Sequence, residues 1–71
     1  MEIELCKTLK NGLVCVVHEE DRYSIKYQKV GKGMKRLENI DELLVELHSD
    51  GVDKGEIDET FAWVRKAMGG G

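Results

Sequence analysis

The chain has 71 residues, of which 41% are apolar and 35% charged, and its formal net charge is −3. This balance predicts one small globular domain, 1–71, that ends in a flexible glycine tail at 69–71. No apolar run approaches the roughly 18 residues of a membrane span, and the opening MEIELCKTLK lacks the pattern of a signal peptide. The negative overall charge gives no global argument for nucleic-acid binding.

The charge is distributed unevenly along the chain. Residues 1–37 hold eight basic and five acidic side chains, a net of +3, whereas residues 38–71 hold three and nine, a net of −6. Within the first part, residues 22–37 carry six basic side chains and no acidic one. This asymmetry predicts two surfaces of opposite charge.

Two β-like runs flank Asn11-Gly12 within residues 2–19. An Asn-Gly pair supplies the two positive φ angles of a type I′ hairpin turn. A turn centred on this pair predicts that Leu9 faces Val14 across the hairpin.

Two further reversals follow in the first half of the chain. If Glu20 and Asp21 form the centre of the next turn, Val16 faces Ile25. A third turn is predicted at GKG, residues 31–33, where glycine permits unusual φ angles, and it leads into a short strand, MKRL.

These turns collect the apolar residues of the predicted strands on one face of the sheet. An antiparallel meander covered on a single side is expected to have one apolar and one mixed face. The apolar face is Ile3, Leu5, Leu9, Val14, Val16, His18, Tyr23, Ile25, Tyr27 and Leu37, and the mixed face includes both cysteines.

Two amphipathic helices are predicted to cover the apolar face of the sheet. Asn39 with Glu42, and Asp53 with Glu56, have the spacing of helix-capping residues. The apolar stripes are Ile40, Leu43, Leu44 and Leu47 in the first helix and Ile57, Phe61, Val64 and Met68 in the second. The predicted fold class is therefore α+β, ββββαα, a four-stranded antiparallel meander with two C-terminal helices packed on one face.

The stretch DGVDKGEIDETF, residues 50–61, has the length and glycine position of a helix–loop–helix calcium site. Three ligand positions are occupied by Val52, Lys54 and Phe61, which do not donate the carboxylate or carbonyl oxygens that calcium needs there. The stretch is therefore predicted to be a turn between the helices, with Gly51 ending one and Asp53 capping the next.

In the predicted register Cys6 and Cys15 are diagonal neighbours, roughly 7–8 Å apart, which is too far for an unstrained disulfide. Reduced thiols favour an intracellular, cytoplasmic protein. The spacing of Cys and His residues predicts no zinc site, and no nucleophile and base are brought together. The sequence therefore predicts a non-enzymatic protein without a metal or another cofactor.

Trp63 is the main candidate for a contact with a partner. It lies roughly 200° from Phe61 around the second helix, away from the stripe that covers the sheet. An outward Trp favours a protein interface, and the alternative is that it folds over the other helix or the sheet edge. The predicted partner-binding residues are Trp63, Val45, Glu59 and Lys66.

The predicted function is a small protein-interaction module of the kind common among phage and mobile-element regulators and inhibitors, acting through its acidic helical hairpin. The partner is another protein or, in a homodimer, a second copy of the chain, and no membrane is involved. The alternative is a nucleic-acid-binding domain that uses the basic hairpin 22–36. Its residues would be Lys26, Lys29, Lys32, Lys35 and Arg36.

Overall fold

The computed structural model describes residues 2–69, which form a four-stranded antiparallel sheet followed by two helices. The strands are β1 (Glu2–Leu9), β2 (Gly12–Glu19), β3 (Arg22–Lys29) and β4 (Lys35–Leu37), and the helices are α1 (Ile40–Ser49) and α2 (Lys54–Ala67). The sheet order β1-β2-β3-β4 confirms the predicted ββββαα fold. No helix among residues 2–69 is long and apolar enough to cross a membrane. Positions 70 and 71 of the predicted glycine tail lie outside the described residues.

Both helices pack on one face of the sheet and bury most of its apolar residues. Burial of this apolar surface is the main favourable contribution to folding. The buried core cluster is Leu9, Val14, Val16, Ile25, Tyr27, Leu37, Leu43, Leu47, Ile57 and Val64. Its members come from the predicted face of the sheet and the predicted stripes of the two helices, but Ile3 and Leu5 of that predicted face remain exposed.

The two predicted N-caps are present, but the acids that follow them make other contacts. Asn39 Oδ1 accepts a hydrogen bond from the backbone N–H of Glu42, and Asp53 Oδ2 accepts one from Gly55, each at 3.0 Å. The Glu56 carboxylate accepts from the backbone N–H of Lys10 at 2.8 Å. Glu56 therefore connects the first turn of α2 to the turn between β1 and β2.

The predicted register of the first hairpin is wrong by two residues. Leu9 pairs with Gly12 rather than with Val14, so the turn consists of Lys10 and Asn11. Neither turn residue has a positive φ, and Gly12 has none either, so Asn-Gly does not form the predicted type I′ turn. The sheet faces are unaffected because a shift of two residues leaves each side chain on its own face.

Gly12 lies in β2 and is required by a close contact with the neighbouring strand. A Cβ atom at this position would lie 2.6 Å from the backbone oxygen of Gln28 in β3. The β2–β3 pairing itself is as predicted, with Val16 opposite Ile25. Glycine at position 12 therefore allows β2 to approach β3 at the start of this ladder.

The corrected register places Cys6 directly opposite Cys15, and a disulfide joins them. Their Cα atoms are 4.0 Å apart, so the predicted diagonal separation and the predicted reduced thiols are both wrong. The expectation of an intracellular location depended on reduced thiols and therefore loses its basis.

Asp50 follows α1 and connects the end of this helix to the sheet. It is the first residue of the stretch that resembles a calcium loop in length. The hydroxyl of the buried Tyr27 donates a hydrogen bond to Asp50 Oδ2 at 2.7 Å, and Lys29 Nζ lies 3.7 Å from Oδ1. The hydrogen bond from Tyr27 is the main reason that the pKa of Asp50 is lowered. Burial, followed by the same hydrogen bond, raises the pKa of Tyr27.

We expect Gly12→Ala to lower the free energy of unfolding by about 1–3 kcal/mol, the usual cost of overpacking, because the new methyl group meets backbone rather than a movable side chain. Gly33→Ala is the matched control, since a Cβ at Gly33 has no atom within 4 Å. Urea denaturation of both variants measures the difference. Equal stabilities would contradict the close approach of β2 to β3.

We expect Tyr27→Phe to destabilise the protein at neutral pH and to flatten its pH dependence. The lowered pKa of Asp50 contributes stability above the unfolded value of about 4, and this contribution is lost as the pH falls through the folded pKa. The raised pKa of Tyr27 means that stability also falls as the pH rises above about 10, where the unfolded chain ionises first.

Urea midpoints of the wild type, Tyr27→Phe and the control Tyr23→Phe, measured across this pH range, test the prediction. The control makes the same chemical change on the same sheet face. A pH profile of Tyr27→Phe that parallels the wild type would show that the Tyr27–Asp50 bond contributes nothing.

Candidate interaction surface

β1 is an edge strand of eight residues. The Cα separation of 4.0 Å between Cys6 and Cys15 matches a pair that is not joined by backbone hydrogen bonds, for which about 4.5 Å is typical. The backbone N–H and C=O of Cys6 therefore point away from β2, and those of Glu4 and Thr8 do so by the same alternation. The free side of β1 thus presents a row of backbone groups that another strand can pair with.

Ile3 and Leu5 are large apolar side chains that remain exposed along this edge. They lie on the sheet face that the helices cover, yet their exposed fractions are 49% and 48%. Glu2 and Glu4 project from the opposite face of the same strand. β1 therefore has a half-exposed apolar side and an acidic side.

Trp63 lies on the flank of α2 that faces β1. It follows Glu56 by seven residues, which returns it to within about 20° of the same direction around the helix. Since Glu56 contacts the backbone of Lys10 directly after β1, the flank with Trp63 also faces β1. Trp63 is half-buried and packs against the core, as in the second of the two alternatives given by the sequence.

The four predicted partner-binding residues do not form one surface. Glu59 and Lys66 are exposed and lie within about 60° of Trp63 around α2. Val45 is 63% exposed on α1, about 200° from the buried Leu43. Val45 therefore points away from the sheet and apart from the other three.

We define the edge surface as the free backbone of β1 together with the side chains beside it. These side chains are Ile3, Leu5 and Trp63. The sequence analysis singled out Trp63, Glu59 and Lys66 of α2 and did not single out Ile3 and Leu5. Their position in the first strand of a meander, which has only one neighbour in the sheet, is the signal that indicates their exposure.

More than half of the acidic side chains in the C-terminal half accept hydrogen bonds from other groups of the same chain. Five of these nine acidic side chains accept a hydrogen bond from atoms of the chain: Glu42, Glu46, Asp50, Asp53 and Glu56. The exposed side chains of α2 include both signs, with Asp58 and Glu59 acidic and Arg65 and Lys66 basic. The outer surface of α2 is therefore mixed in charge.

The basic hairpin is partly neutralised by acids of the same chain. Lys26 lies 3.8 Å from Glu4, and Lys35 lies 2.8 Å from Glu46. The hydrogen bond to Glu46 raises the pKa of Lys35. With the Lys29–Asp50 pair, three of the five cations predicted to bind nucleic acid have acidic neighbours.

The five cations are also divided between the two faces of the sheet. Lys26 and Arg36 are paired in register on the open face, whereas Lys29 and Lys35 contact acids on the helical side. Lys32 lies in the turn between β3 and β4. The structure therefore does not bring the five into one continuous basic surface.

A cavity of 170 Å³ lies between the first hairpin turn and the loop joining the helices. Its lining residues are Lys10, Asn11, Tyr27, Lys29, Asp50, Gly51, Val52, Asp53 and Glu56. Several of their polar groups already contact one another, as in the Tyr27–Asp50 and Lys10–Glu56 hydrogen bonds. A second cavity, of 390 Å³, is lined by Glu2, Glu19, Glu20 and Arg22 at the other end of the sheet.

One cluster of possible metal ligands lies on the open face. Within residues 2–69, Glu4, Cys6 and Cys15 are the one group of three or more such residues whose ligand atoms all lie within 4.8 Å of one another. The predicted register separated the two cysteines and so concealed this cluster. Their shared face was nevertheless visible in the alternation of the strands.

Comparison of the chain with protein-family models, curated proteins and solved structures found no match. Conclusions about function therefore depend on the chain's own residues. Among these, the edge surface combines unpaired backbone groups with exposed apolar side chains.

We expect Trp63→Ala to lower the free energy of unfolding by about 2–3 kcal/mol, somewhat less than truncation of a fully buried Trp, because Trp63 packs on the core while remaining partly exposed. Val45→Ala is the control and is expected to change stability by no more than about 0.5 kcal/mol. Thermal and urea unfolding provide the measurement. Equal losses of unfolding free energy in the two variants would show that Trp63 does not pack on the core.

Proposed function

We propose that this protein is a non-enzymatic interaction module that binds another protein by adding a strand of that partner to β1. The observation that supports this is the free backbone edge of β1 beside the half-exposed Ile3 and Leu5. Strand addition obtains its affinity from backbone hydrogen bonds and its specificity from alternate side chains. The module would act by binding to its partner and would not catalyse a reaction.

The two faces of β1 specify the chemistry of the partner strand. Side chains added on the helical side would lie beside Ile3 and Leu5, so apolar residues are favoured there. Side chains added on the open side would lie beside Glu2 and Glu4, where Lys or Arg forms a favourable cross-strand pair. The partner segment is therefore an extended strand of alternating apolar and basic residues.

Trp63 extends this surface from the sheet onto α2. It lies about 10 Å along α2 from Glu56, whose carboxylate contacts the backbone of Lys10 after β1. We expect a large apolar side chain of a partner strand on β1 to come near it. Tryptophan at such a position is typical of residues that contribute strongly to binding.

A second copy of the chain is the competing occupant of this edge. Antiparallel pairing of two β1 strands about Leu5 would place Leu5 opposite itself and Glu4 opposite Cys6. A shift of one residue in each strand would place Glu4 opposite Glu4, which like-charge repulsion disfavours. One register of self-pairing is therefore favourable, but the register shifted by one residue in each strand brings two Glu4 side chains together. A basic partner strand meets no such repulsion.

Nucleic-acid binding by the basic hairpin is less well supported than strand addition. Three of its five cations have carboxylate neighbours in the chain, and the five lie on different faces. Phosphate binding would first require these ion pairs to be exchanged for contacts with phosphate, and it would weaken steeply with added salt.

We expect a fluorescently labelled eight-residue peptide of alternating valine and lysine to bind the protein and to change the emission of Trp63. A peptide of alternating valine and glutamate is the matched probe, and we expect it to bind at least about tenfold more weakly, a difference of about 1.4 kcal/mol. Leu5→Lys should weaken binding because it places a charge on the apolar side of the edge. Val45→Lys should leave binding unchanged.

Peptide anisotropy and Trp63 emission, recorded on proteins whose fold is verified by circular dichroism, decide the outcome. Equal binding of the two peptides, or equal binding by Leu5→Lys and the wild type, would refute strand addition at β1. A dimer mass that Leu5→Lys abolishes, together with failure of both peptides to bind, would identify a second copy as the occupant instead.

A further inference from the structure

The open face of the sheet carries a cluster whose two cysteines strand addition does not use. Cys6 and Cys15 lie opposite each other on this face, and Glu4 precedes Cys6 by two residues on the same side of β1. Potential ligand atoms of the three residues lie within 4.8 Å of one another. Neither helix covers this face, since both pack on the other side of the sheet.

We propose that reduction of the Cys6–Cys15 disulfide converts this cluster into a binding site for a thiophilic divalent cation of the zinc class. The two thiolates and the Glu4 carboxylate would supply three ligands. Water would supply the fourth on the uncovered side. Two sulfur ligands and one carboxylate suit Zn²⁺, Cd²⁺ or Co²⁺, whereas Ca²⁺ and Mg²⁺ prefer oxygen ligands alone.

The ligand atoms lie close enough together to reach one ion. Zn–S bonds of about 2.3 Å and Zn–O bonds of about 2.0–2.2 Å place the ligand atoms of a tetrahedral site roughly 3.5–3.8 Å apart. The three ligand atoms lie within 4.8 Å of one another while the sulfurs are bonded, so after reduction the two sulfurs would separate and the side chains would rotate around the ion. The 4.0 Å between the two Cα atoms keeps both sulfurs on one side of the ion.

Loading of the site requires prior reduction of the disulfide, for example by a dithiol. A thiolate of the dithiol attacks the sulfur of Cys6, which belongs to an exposed residue, and the sulfur of the buried Cys15 leaves. A second thiol of the reductant then displaces Cys6, so the reductant is oxidised to its disulfide while the protein gains two electrons and two protons. Binding of the cation releases these two protons, because the thiolates are the metal ligands.

Lys26 is the group that competes with the cation. Its ammonium lies 3.8 Å from Glu4 in an ion pair that is exposed on both sides. Exposed pairs of this kind contribute little stability, so Glu4 can exchange the ammonium for a divalent ion at small cost. Removal of the Lys26 charge should therefore strengthen binding of the metal.

The test is titration of Co²⁺ into the full chain, either oxidised or reduced with a phosphine that is then removed. We expect the reduced protein to bind one ion with a sulfur-to-cobalt charge-transfer band that Zn²⁺ displaces. Glu4→Gln removes a ligand and should weaken binding by at least about 10- to 100-fold, the range for loss of a group that only supports a metal ligand. Glu2→Gln, on the same face but outside the cluster, is the matched control and should bind as the wild type does.

The variants at Glu4 and Glu2 keep both cysteines, so the test does not depend on whether a cysteine variant folds. Absence of the charge-transfer band in the reduced protein would overturn the proposal. Equal binding by the oxidised protein, or equal affinities of Glu4→Gln and Glu2→Gln, would overturn it as well. Tighter binding by Lys26→Gln would support it further.

Discussion

The pairing of Leu9 with Gly12 determines which residues of β1 meet β2, and both proposed sites depend on this register. It places Cys6 opposite Cys15 and thereby brings Glu4 beside the two sulfurs. It also directs the backbone groups of Cys6 towards the free edge of β1. Glycine at position 12 is part of this arrangement, because a larger residue would separate β2 from β3.

The acidic residues of the helical half act mainly within the protein. Asp50 accepts a hydrogen bond from Tyr27 in the sheet, and Glu56 accepts one from the backbone of Lys10. These two contacts hold the connection between the helices against one end of the sheet. Two of the acids, Glu46 and Asp50, also pair with lysines of the basic hairpin, so part of the charge asymmetry of the sequence is matched within the protein.

The parts of the fold that depend on local patterns could be predicted from the sequence. Alternating apolar residues indicated the covered face, and Asn39 and Asp53 indicated where the helices begin. The first hairpin's register could not be predicted in this way, because a shift of two residues preserves both faces. The angular position of Trp63 could be predicted as well, but its contact with the core depends on where α2 crosses the sheet, which no local pattern specifies.

The meander has a consequence for the order in which the chain folds. Each strand pairs with the next strand along the chain, whereas the contact between Lys10 and Glu56 joins residues 46 positions apart. Contacts between neighbouring hairpins close short loops and form early, so docking of α2 is expected to come last. Until α2 docks, part of the apolar face around Val14 and Ile25 stays in water. Released chains that end before Lys54 should therefore be the forms most prone to aggregate or to recruit a chaperone.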